Sequence, residues 1–249
     1  EIGDLSGSLQ EMTEALYDRI DAIEQFAADV AHEIKNPLTS LRSAVETMRR
    51  ATPEQQKKLM AVIEDDVARV NRLVSDISDA SRLDAELARE KAGPVDLMRL
   101  ARDVAAICQK ETGPRITVSA DLGVERSGLV VTGLDGPLGQ VLRNLIDNAL
   151  SFSPPDGTVR VTLAREGRTA VMTVADDGPG IAPEHLDDVF KRFYTSRPDE
   201  HFGQNSGLGL SISQQIVNVH RGTIRAANAP GATPDSHGGA IFTVRLPLA

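Results

Sequence analysis

The apolar residues of the first fifty positions recur at helical spacing. Up to residue 23 they lie three or four positions apart, at Ile2, Leu5, Leu9, Met12, Leu16, Ile20 and Ile23, which defines one stripe along a helix. The stripe continues from Ala27 to Met48 and ends at a polar segment that contains Pro53. A second stripe runs from Leu59 to Ile77. The pattern therefore predicts two long helices joined by a turn at "RRATPEQQKK".

Two amphipathic helices of this length leave an apolar face uncovered when they pack only on each other. Dimerisation into a four-helix bundle covers that face. We therefore expect the helical hairpin to form a homodimer. The segment "REKAGPVD", which contains Gly93 and Pro94, ends this region.

The pattern changes in the remainder of the chain. Helices are predicted over residues 95–109 and 138–150, and a further helix is predicted to begin near residue 208. Alternating segments typical of strands are "RITVSADL", "GLVVTGL", "GTVRVTLAR", "TAVMTVAD", "GTIRAANA" and "AIFTVRL". Helices interleaved with mostly antiparallel strands indicate an α/β sandwich with the helices on one face of the sheet.

Composition narrows the classes of protein that fit. The chain has 249 residues, of which 41% are hydrophobic and 25% charged, and these values are typical of one or two folded domains. A net charge of −9 with scattered Lys and Arg residues does not suggest a nucleic-acid groove. No run of about 18 apolar residues and no signal peptide is present, so we do not expect this polypeptide to span or enter a membrane. The abrupt start at "EIGDL" suggests a piece of a longer protein. The single cysteine, Cys108, fits a reducing compartment and a place in the core.

The first helix carries "HEIKNPL". If Val30 and Ile34 face the bundle core, a residue two positions after Val30 is rotated by about 200°, so His32 faces solvent. An exposed imidazole can be a chance surface residue, a metal ligand or a nucleophile, and the absence of a second His or Cys at ligand spacing disfavours the metal. Glu33 can accept the imidazole proton. Pro37 cannot donate to the carbonyl of Glu33, which predicts a bend just after the histidine.

Two downstream motifs carry polar side chains that could contact a ligand. "LRNLIDNAL" puts Asn144 and Asn148 on one face of a helix, and neutral oxygen ligands suit a Mg²⁺ ion that also contacts phosphates. "ADDGPGI" follows a strand; Gly178 and Gly180 permit close backbone approach, and the Asp176 carboxylate can accept from an exocyclic amine. The alternative for the first motif is a pair of asparagines that only face water. The alternative for the second is an ordinary tight turn.

A third motif, "NSGLGLSI", places Gly207 and Gly209 immediately before a helix. Free N–H groups at a helix start form a phosphate site, although a single Gly-x-Gly is weak evidence and the lysine of a P-loop is absent. Taken together, the three motifs predict a nucleotide pocket downstream of an exposed nucleophile.

The order of these motifs resembles the cytoplasmic part of a two-component sensor histidine kinase. "HEIKNPL" matches the phosphoacceptor box of that family, "NLIDNA" its asparagine box, "DDGPGI" and "SGLGLSI" its two glycine boxes, and "FKRFY" its phenylalanine box. "EIGDLSGSLQEMTEAL" is similar to the last helix of a HAMP domain. Within the family, "SRLDAELA" and "FGQNSGLGLSIS" are most similar to the ChvG/ExoS type.

The resemblance implies a domain organisation and a set of activities. Residues 1–22 would be a HAMP C-terminal helix and coiled-coil linker, 23–91 a dimerisation and histidine-phosphotransfer domain, and 92–249 an ATP-binding domain of the Bergerat (GHKL) type. ATP with Mg²⁺ would phosphorylate His32, with Glu33 as its acid/base partner. The phosphoryl group would pass to an aspartate of a response-regulator receiver domain, and Asn36 would orient water for dephosphorylating that regulator.

The resemblance also implies which residues contact the nucleotide. Asn144 and Asn148 would hold Mg²⁺ and the phosphates, and Asp176 would recognise the adenine amine. The other implied contacts are Gly178, Gly180, Ile181, Lys191, Arg192, Phe193, Tyr194, Gly207, Leu208, Gly209 and Leu210. The chain departs from the family pattern at Ser151, Thr195 and Asn205. The resemblance therefore does not decide which cationic side chains contact the phosphates; the candidates are Lys191, Arg192, Arg197 and Arg143.

Two alternative functions remain. A clamp or chaperone-like ATPase with the same nucleotide fold would account for the asparagine and glycine boxes but not for "HEIKNPL". A nucleotide-binding dimeric scaffold without catalysis is supported only by the three departures. If the chain is a kinase, the resemblance implies that it is the cytoplasmic portion of a bacterial inner-membrane protein. Only a segment upstream of this sequence would then attach the protein to the membrane.

Overall fold

The computed structural model describes residues 2–89, 91–113, 115–121, 128–194, 206–229 and 238–249. Its contacts divide the chain into two units, Glu1–Leu73 and Val74–Ala249. Within the described ranges, no helix combines the length and the apolar character needed to cross a membrane.

Two long helices, as predicted, account for the first unit. Helix α1 spans Ile2–Met48, and helix α2 spans Pro53–Arg89 and so continues into the second unit. Thr52 and Gln55 exchange hydrogen bonds at the start of α2: the Thr52 N–H donates to Gln55 Oε1 over 2.9 Å, and the Gln55 N–H donates to Thr52 Oγ1 over 3.4 Å. This reciprocal arrangement is a capping box. Pro53 occupies the first helical position, where a backbone N–H has no acceptor within the helix.

The apolar stripe of the hairpin is only partly covered within one chain. Pro37, Ala44 and Leu73 are buried. Leu38 and Val45, on the predicted stripe, remain 52% and 51% exposed. The hairpin therefore presents an uncovered apolar surface, as the pattern predicts for a protein that dimerises.

The second unit begins with the last part of α2 and continues through helices and strands in alternation. Its strands are β1 (Gly93–Asp96), β2 (Ile116–Ala120), β3 (Val130–Gly133), β4 (Val159–Glu166), β5 (Thr169–Ala175), β6 (Thr223–Asn228) and β7 (Ala240–Pro247). Its helices are α3 (Leu97–Thr112), α4 (Asp135–Phe152) and α5 (Gly209–Val219), with single-turn 3₁₀ helices at Pro183–His185 and Asp188–Phe190.

Five strands form the main sheet, in the order β2-β4-β5-β7-β6. Strands β2 and β4 are parallel and the other neighbours are antiparallel. One face carries fully buried residues such as Val161, Leu163 and Val174, and α3, α4 and α5 contact the sheet. Cys108, on α3, is buried as expected. The predicted α/β sandwich is confirmed.

One predicted helix was wrong at its start. The segment assigned to a helix from residue 95 begins instead as β1, which pairs antiparallel with β3 through Val95 and Val131. Helix α3 starts only at Leu97, where the Asp96 side chain accepts the N–H groups of Met98 and Arg99. A four-residue strand is too short a pattern to be distinguished from the start of a helix. Its partner strand β3 lies far along the chain, so no neighbouring residues indicate the pairing.

A buried histidine fixes the end of α5 against the start of α4. His220 Nδ1 donates to the Ile216 carbonyl over 2.8 Å, and its Nε2 accepts the Leu134 N–H over 3.0 Å. The carbonyl can only accept, so the imidazole is the neutral tautomer with the proton on Nδ1. A Cβ added to Gly133 would lie 2.6 Å from His220 Cδ2, so the strand before α4 requires glycine at this position.

Candidate functional site

The "HEIKNPL" segment lies on α1, as the helical period predicts. His32 and Asn36 are exposed, whereas Glu33 is partly buried. Glu33 Oε2 accepts a hydrogen bond from Arg69 Nη2 of α2 over 2.9 Å, and the two side chains are only 23% and 15% exposed. In sequence, Glu33 and Arg69 are about equally distant from the turn between the two helices, as expected for residues that face each other across an antiparallel hairpin. The carboxylate of Glu33, the residue that follows His32, is therefore held by the second helix.

Arg69 was missed by sequence reasoning. It lies between Val67 and Val70 of the second stripe, and a charged residue flanked by core positions was the available signal. The bend at Pro37 stays a prediction, and the structure places this proline, buried, within the single helix α1.

Asp176 lies immediately after β5 and is only 3% exposed. Its Oδ1 accepts the N–H groups of Gly178 and Ala240, over 2.8 and 2.9 Å. Burial raises the pKa of Asp176 above its ordinary value, and the two backbone hydrogen bonds oppose that rise. Among the described residues none donates a hydrogen bond to Oδ2. The site thus contains a buried carboxylate with one oxygen available to accept from a ligand.

Asp177, the next residue, has the opposite environment. Its carboxylate accepts the Thr158 N–H and a hydrogen bond from Arg160, each over 2.8 Å. The Thr158 N–H and then Arg160 hold the pKa of Asp177 below its ordinary value. These contacts fix the start of the "DDGPGI" loop to β4, and sequence reasoning assigned Asp177 no part in the site.

The two glycines of this loop avoid collisions with the protein's own atoms. A Cβ on Gly178 would lie 2.9 Å from both the Phe152 carbonyl oxygen and Asp176 Oδ1. Gly180 has φ +81, and its Cβ would lie 2.9 Å from Asn228 Oδ1. Neighbouring protein atoms therefore leave no room for a side chain at either glycine, and a close approach of these glycines to a nucleotide stays a prediction.

The far end of the loop contacts the end of β6. Asn228 Oδ1 accepts the Ile181 N–H over 2.7 Å, and Asn228 Nδ2 donates to the Ile181 carbonyl over 2.6 Å. Gly239 donates its N–H to the Gly178 carbonyl over 3.0 Å, and its own carbonyl accepts the Ala229 N–H. Neither Asn228 nor Gly239 was predicted as part of the site.

Asn144 and Asn148 project from α4 one turn apart. Asn144 Nδ2 donates to the Gly209 carbonyl over 3.0 Å and lies 3.3 Å from Ser213 Oγ. The Asn144 amide group therefore joins α4 to the start of α5. Of the hydrogen bonds between described residues, none involves Asn144 Oδ1 or the Asn148 side chain, so these oxygens are available to a cation. Ser151 Oγ donates to the Asn148 carbonyl over 2.7 Å.

The second glycine box turns directly into α5. Gly207 has φ +74, and its Cβ would lie 2.7 Å from Phe193 Cα, whose residue also has a positive φ, +59. Leu208 is 1% exposed, so its side chain belongs to the core. Leu208 is the N-cap of α5 and makes no side-chain cap hydrogen bond. The N–H groups of the first turn, including that of Leu210, have no acceptor within the helix, as in any α-helix, and the N-cap side chain supplies none.

Two of the candidate cations, Lys191 and Arg143, lie beside carboxylates. Lys191 Nζ lies 2.5 Å from Asp188 Oδ1, and this lysine is 71% exposed. Lys191 and, next, His185 lower the pKa of Asp188. Tyr194 packs with a tilted ring 5.7 Å from the His185 ring. Arg143 Nε lies 3.7 Å from Asp147 Oδ2.

Other predicted positions carry less information. Arg192 is exposed. Phe190, which opens the "FKRFY" box, is buried and packs edge-on against Phe242 with ring centroids 6.3 Å apart. Arg197, Thr195 and Asn205 lie outside the described residues.

Two protein-family models match the chain. The model described as His Kinase A (phospho-acceptor) domain matches residues 22–86. The model described as histidine kinase-, DNA gyrase B-, and HSP90-like ATPase matches residues 133–249. The matches place the phosphoacceptor box in one model and the asparagine and glycine boxes in the other. The predicted HAMP helix and the three domain boundaries remain predictions.

Individual relatives agree with these models. The chain is 53% identical to "Sensor protein ChvG" of Rhizobium meliloti (strain 1021) over 99% of its own length and 44% of that protein. The chain thus spans less than half of this relative. Among solved structures, a mycobacterial sensor histidine kinase, MprB, is 31% identical with a TM-score of 0.54, covering 63% of this chain and 97% of that chain. Full-length ShkA in complex with AMPPNP is 26% identical with a TM-score of 0.57, covering 91% of this chain and 46% of that chain. The predicted similarity to the ChvG type is confirmed, and the chain belongs to the sensor histidine kinases.

Proposed function

We propose that this chain is the kinase portion of a two-component sensor, which autophosphorylates His32 from ATP. The observation that carries the proposal is the exposed His32 next to a partly buried, ion-paired Glu33 on the hairpin. An exposed imidazole is accessible to a phosphoryl donor, and the carboxylate of the next residue is our candidate to take its proton.

The second unit is proposed to bind the ATP. Asp176 Oδ2 would accept from the exocyclic amine of adenine, since Oδ1 is already used by two N–H groups. The uncapped first turn of α5 would face the phosphates. The oxygens of Asn144 and Asn148 would hold Mg²⁺, which would neutralise charge on the phosphates. ShkA, which is 26% identical, has been solved in complex with AMPPNP, and this supports the binding of an adenine nucleotide by this chain.

In the proposed reaction, a ring nitrogen of His32 forms a bond to the γ-phosphorus while the bond to the β,γ-bridging oxygen breaks. ADP leaves, and the imidazole proton passes to Glu33. The chain's contribution is position and charge, because phosphoryl transfer demands little covalent chemistry from the protein.

The partners proposed are a second copy of the chain and a response regulator. Leu38 and Val45, each more than half exposed on α1, supply apolar surface for a four-helix bundle. A receiver-domain aspartate would accept the phosphoryl group from His32, and the exposed Asn36 would orient water when that aspartate is dephosphorylated. An upstream segment would place the intact protein in a bacterial inner membrane, with the described units on the cytoplasmic side.

Incubation with γ-labelled ATP and Mg²⁺ tests the proposal. The parent should acquire an acid-labile, base-stable label, and His32→Gln should acquire none. Glu46→Gln, an exposed change on the same helix, should label like the parent. Label that persists in His32→Gln would eliminate His32 as the acceptor, and ATP turnover without protein label would favour the clamp-type ATPase.

A further inference from the structure

We propose that Asn228 is the positioning residue that sets the nucleotide affinity of the Asp176 site, an inference that rests on the ATP-binding function proposed above. Its carboxamide satisfies both backbone groups of Ile181, through Oδ1 at 2.7 Å and Nδ2 at 2.6 Å. Asn228 therefore acts on the loop backbone and reaches the nucleotide only through it.

The contact requires a carboxamide. One planar group must accept an N–H and donate to a C=O at the same time, which Asn and Gln can do and which Asp, acceptor-only when ionised, cannot. In Asn228→Asp, the Nδ2 that donates to the Ile181 carbonyl would be replaced by a carboxylate oxygen, and two oxygens would then face each other. The half-buried location of Asn228 at the end of β6 keeps water from replacing the contact easily.

The loop needs a contact at this end because of Gly180. Glycine with φ +81 precedes Ile181, and a glycine peptide has many other conformations open to it. Asp177 fixes the other end through Thr158 and Arg160. With Asn228 in place, both ends of residues 177–181 are held. The loop is therefore already ordered before a ligand binds, and binding does not bear the entropic cost of ordering it.

The position of Ile181 is linked to that of Asp176. The Gly178 N–H donates to Asp176 Oδ1, and the Gly178 carbonyl accepts from Gly239. If the loop moves after Ile181 is released, Gly178 moves with it and one of the two bonds that orient the carboxylate weakens. Oδ2 would then no longer be fixed toward the base, so affinity falls without any loss of a ligand contact by Asn228 itself.

The test uses the full chain and AMPPNP with Mg²⁺ as the probe. Asn228→Ala and Asn228→Asp should each raise the Kd for AMPPNP by about tenfold to thirtyfold, as expected for the loss of two modest hydrogen bonds. The KM for ATP in autophosphorylation should rise in step, with kcat at saturating ATP within about twofold of the parent. Asn218→Ala, an exposed asparagine on α5, should leave the Kd and KM unchanged.

Amide hydrogen exchange shows whether the loop is the cause. The Ile181 N–H should lose protection in Asn228→Ala, while the N–H groups of the central strand β5 keep theirs. An unchanged Kd in a folded variant, or a lower kcat with an unchanged KM, would overturn the inference and leave the proposed function intact. Failure of the parent itself to bind AMPPNP would overturn the proposed function and this inference with it.

Discussion

Arg69 Nη2 of the second long helix lies 2.9 Å from Oε2 of Glu33, the residue that follows His32. Both side chains are mostly buried, so solvent and salt screen the pair little. A guanidinium restricts where a carboxylate can lie, because its N–H groups point in fixed directions. The acid/base candidate on one helix is therefore oriented by the other helix of the hairpin.

Replacement of Arg69 should slow autophosphorylation. We expect Arg69→Gln to reduce the rate roughly tenfold, a modest part of what general acid–base catalysis supplies, because Glu33 remains present but is no longer oriented. Arg69→Lys keeps the charge and should recover part of the rate. Single-turnover labelling measures both variants, with the exposed Lys57→Gln on the same helix as the control.

A double-mutant cycle with Glu33→Gln separates this effect from general damage to the hairpin. If Arg69 acts through Glu33, Arg69→Gln should have little further effect on the rate once Glu33→Gln is present. Rate losses that simply add would show that Arg69 acts elsewhere.

Asp176→Asn should raise the stability of the fold and weaken the binding of nucleotide. Burial raises the pKa of Asp176, so its ionised form destabilises the fold at neutral pH. Asparagine can accept the same two N–H groups through its oxygen without that charge. We expect a higher Tm than that of the nucleotide-free parent at pH 7, together with AMPPNP affinity weakened at least about tenfold, because Nδ2 cannot accept from an amine.

The pH dependence of this difference follows from the direction of the pKa shift. A raised pKa in the folded state means that the parent loses stability as pH rises from the ordinary Asp range through the folded value. The Tm advantage of Asp176→Asn should therefore shrink as the pH is lowered toward about 4. An advantage that is constant across this range would contradict the role given to burial.

Asp177→Asn should behave in the opposite way. The Thr158 N–H and Arg160 lower the pKa of Asp177, so its carboxylate stabilises the fold above the ordinary Asp pKa, and this stabilisation is lost as pH falls through the folded value. The variant should be less stable than the parent at pH 7, by under about 1 kcal/mol because the Arg160 pair is partly exposed. Urea unfolding at pH 7 and pH 3 should show the difference narrowing in acid.

Gly239 offers a test of how tightly the loop is packed. A Cβ there would lie 1.7 Å from the Asp176 carbonyl oxygen, and the residue has φ +74. Gly239→Ala should destabilise the second unit by at least about 2 kcal/mol, from backbone strain and displacement of Asp176 together. Gly136→Ala, on α4 with nothing within 4 Å of the added Cβ, should be neutral or stabilising by about 0.5 kcal/mol. Similar unfolding midpoints for the two variants would contradict this packing.

The helices, most of the strands and the order of the motifs could be predicted from the amino-acid pattern alone. Helical and strand periods are local properties of the chain, so α1, α2, α4 and β4–β7 could be predicted from a few neighbouring residues each. The exposed position of His32 followed from the same period. The family followed from motifs in which a few adjacent residues carry the chemistry, and the comparisons confirm it.

The residues that support the site come together only when distant segments of the chain pack on one another. Arg69 lies 36 positions from Glu33, and Asn228 lies 47 positions from Ile181. Strand β1 exists because Val95 pairs with Val131. Such contacts leave no periodic signal, because they depend on how separate elements pack and on hydrogen bonds between groups distant in the chain. Local pattern predicts which residues carry the chemistry, and packing fixes where those residues point.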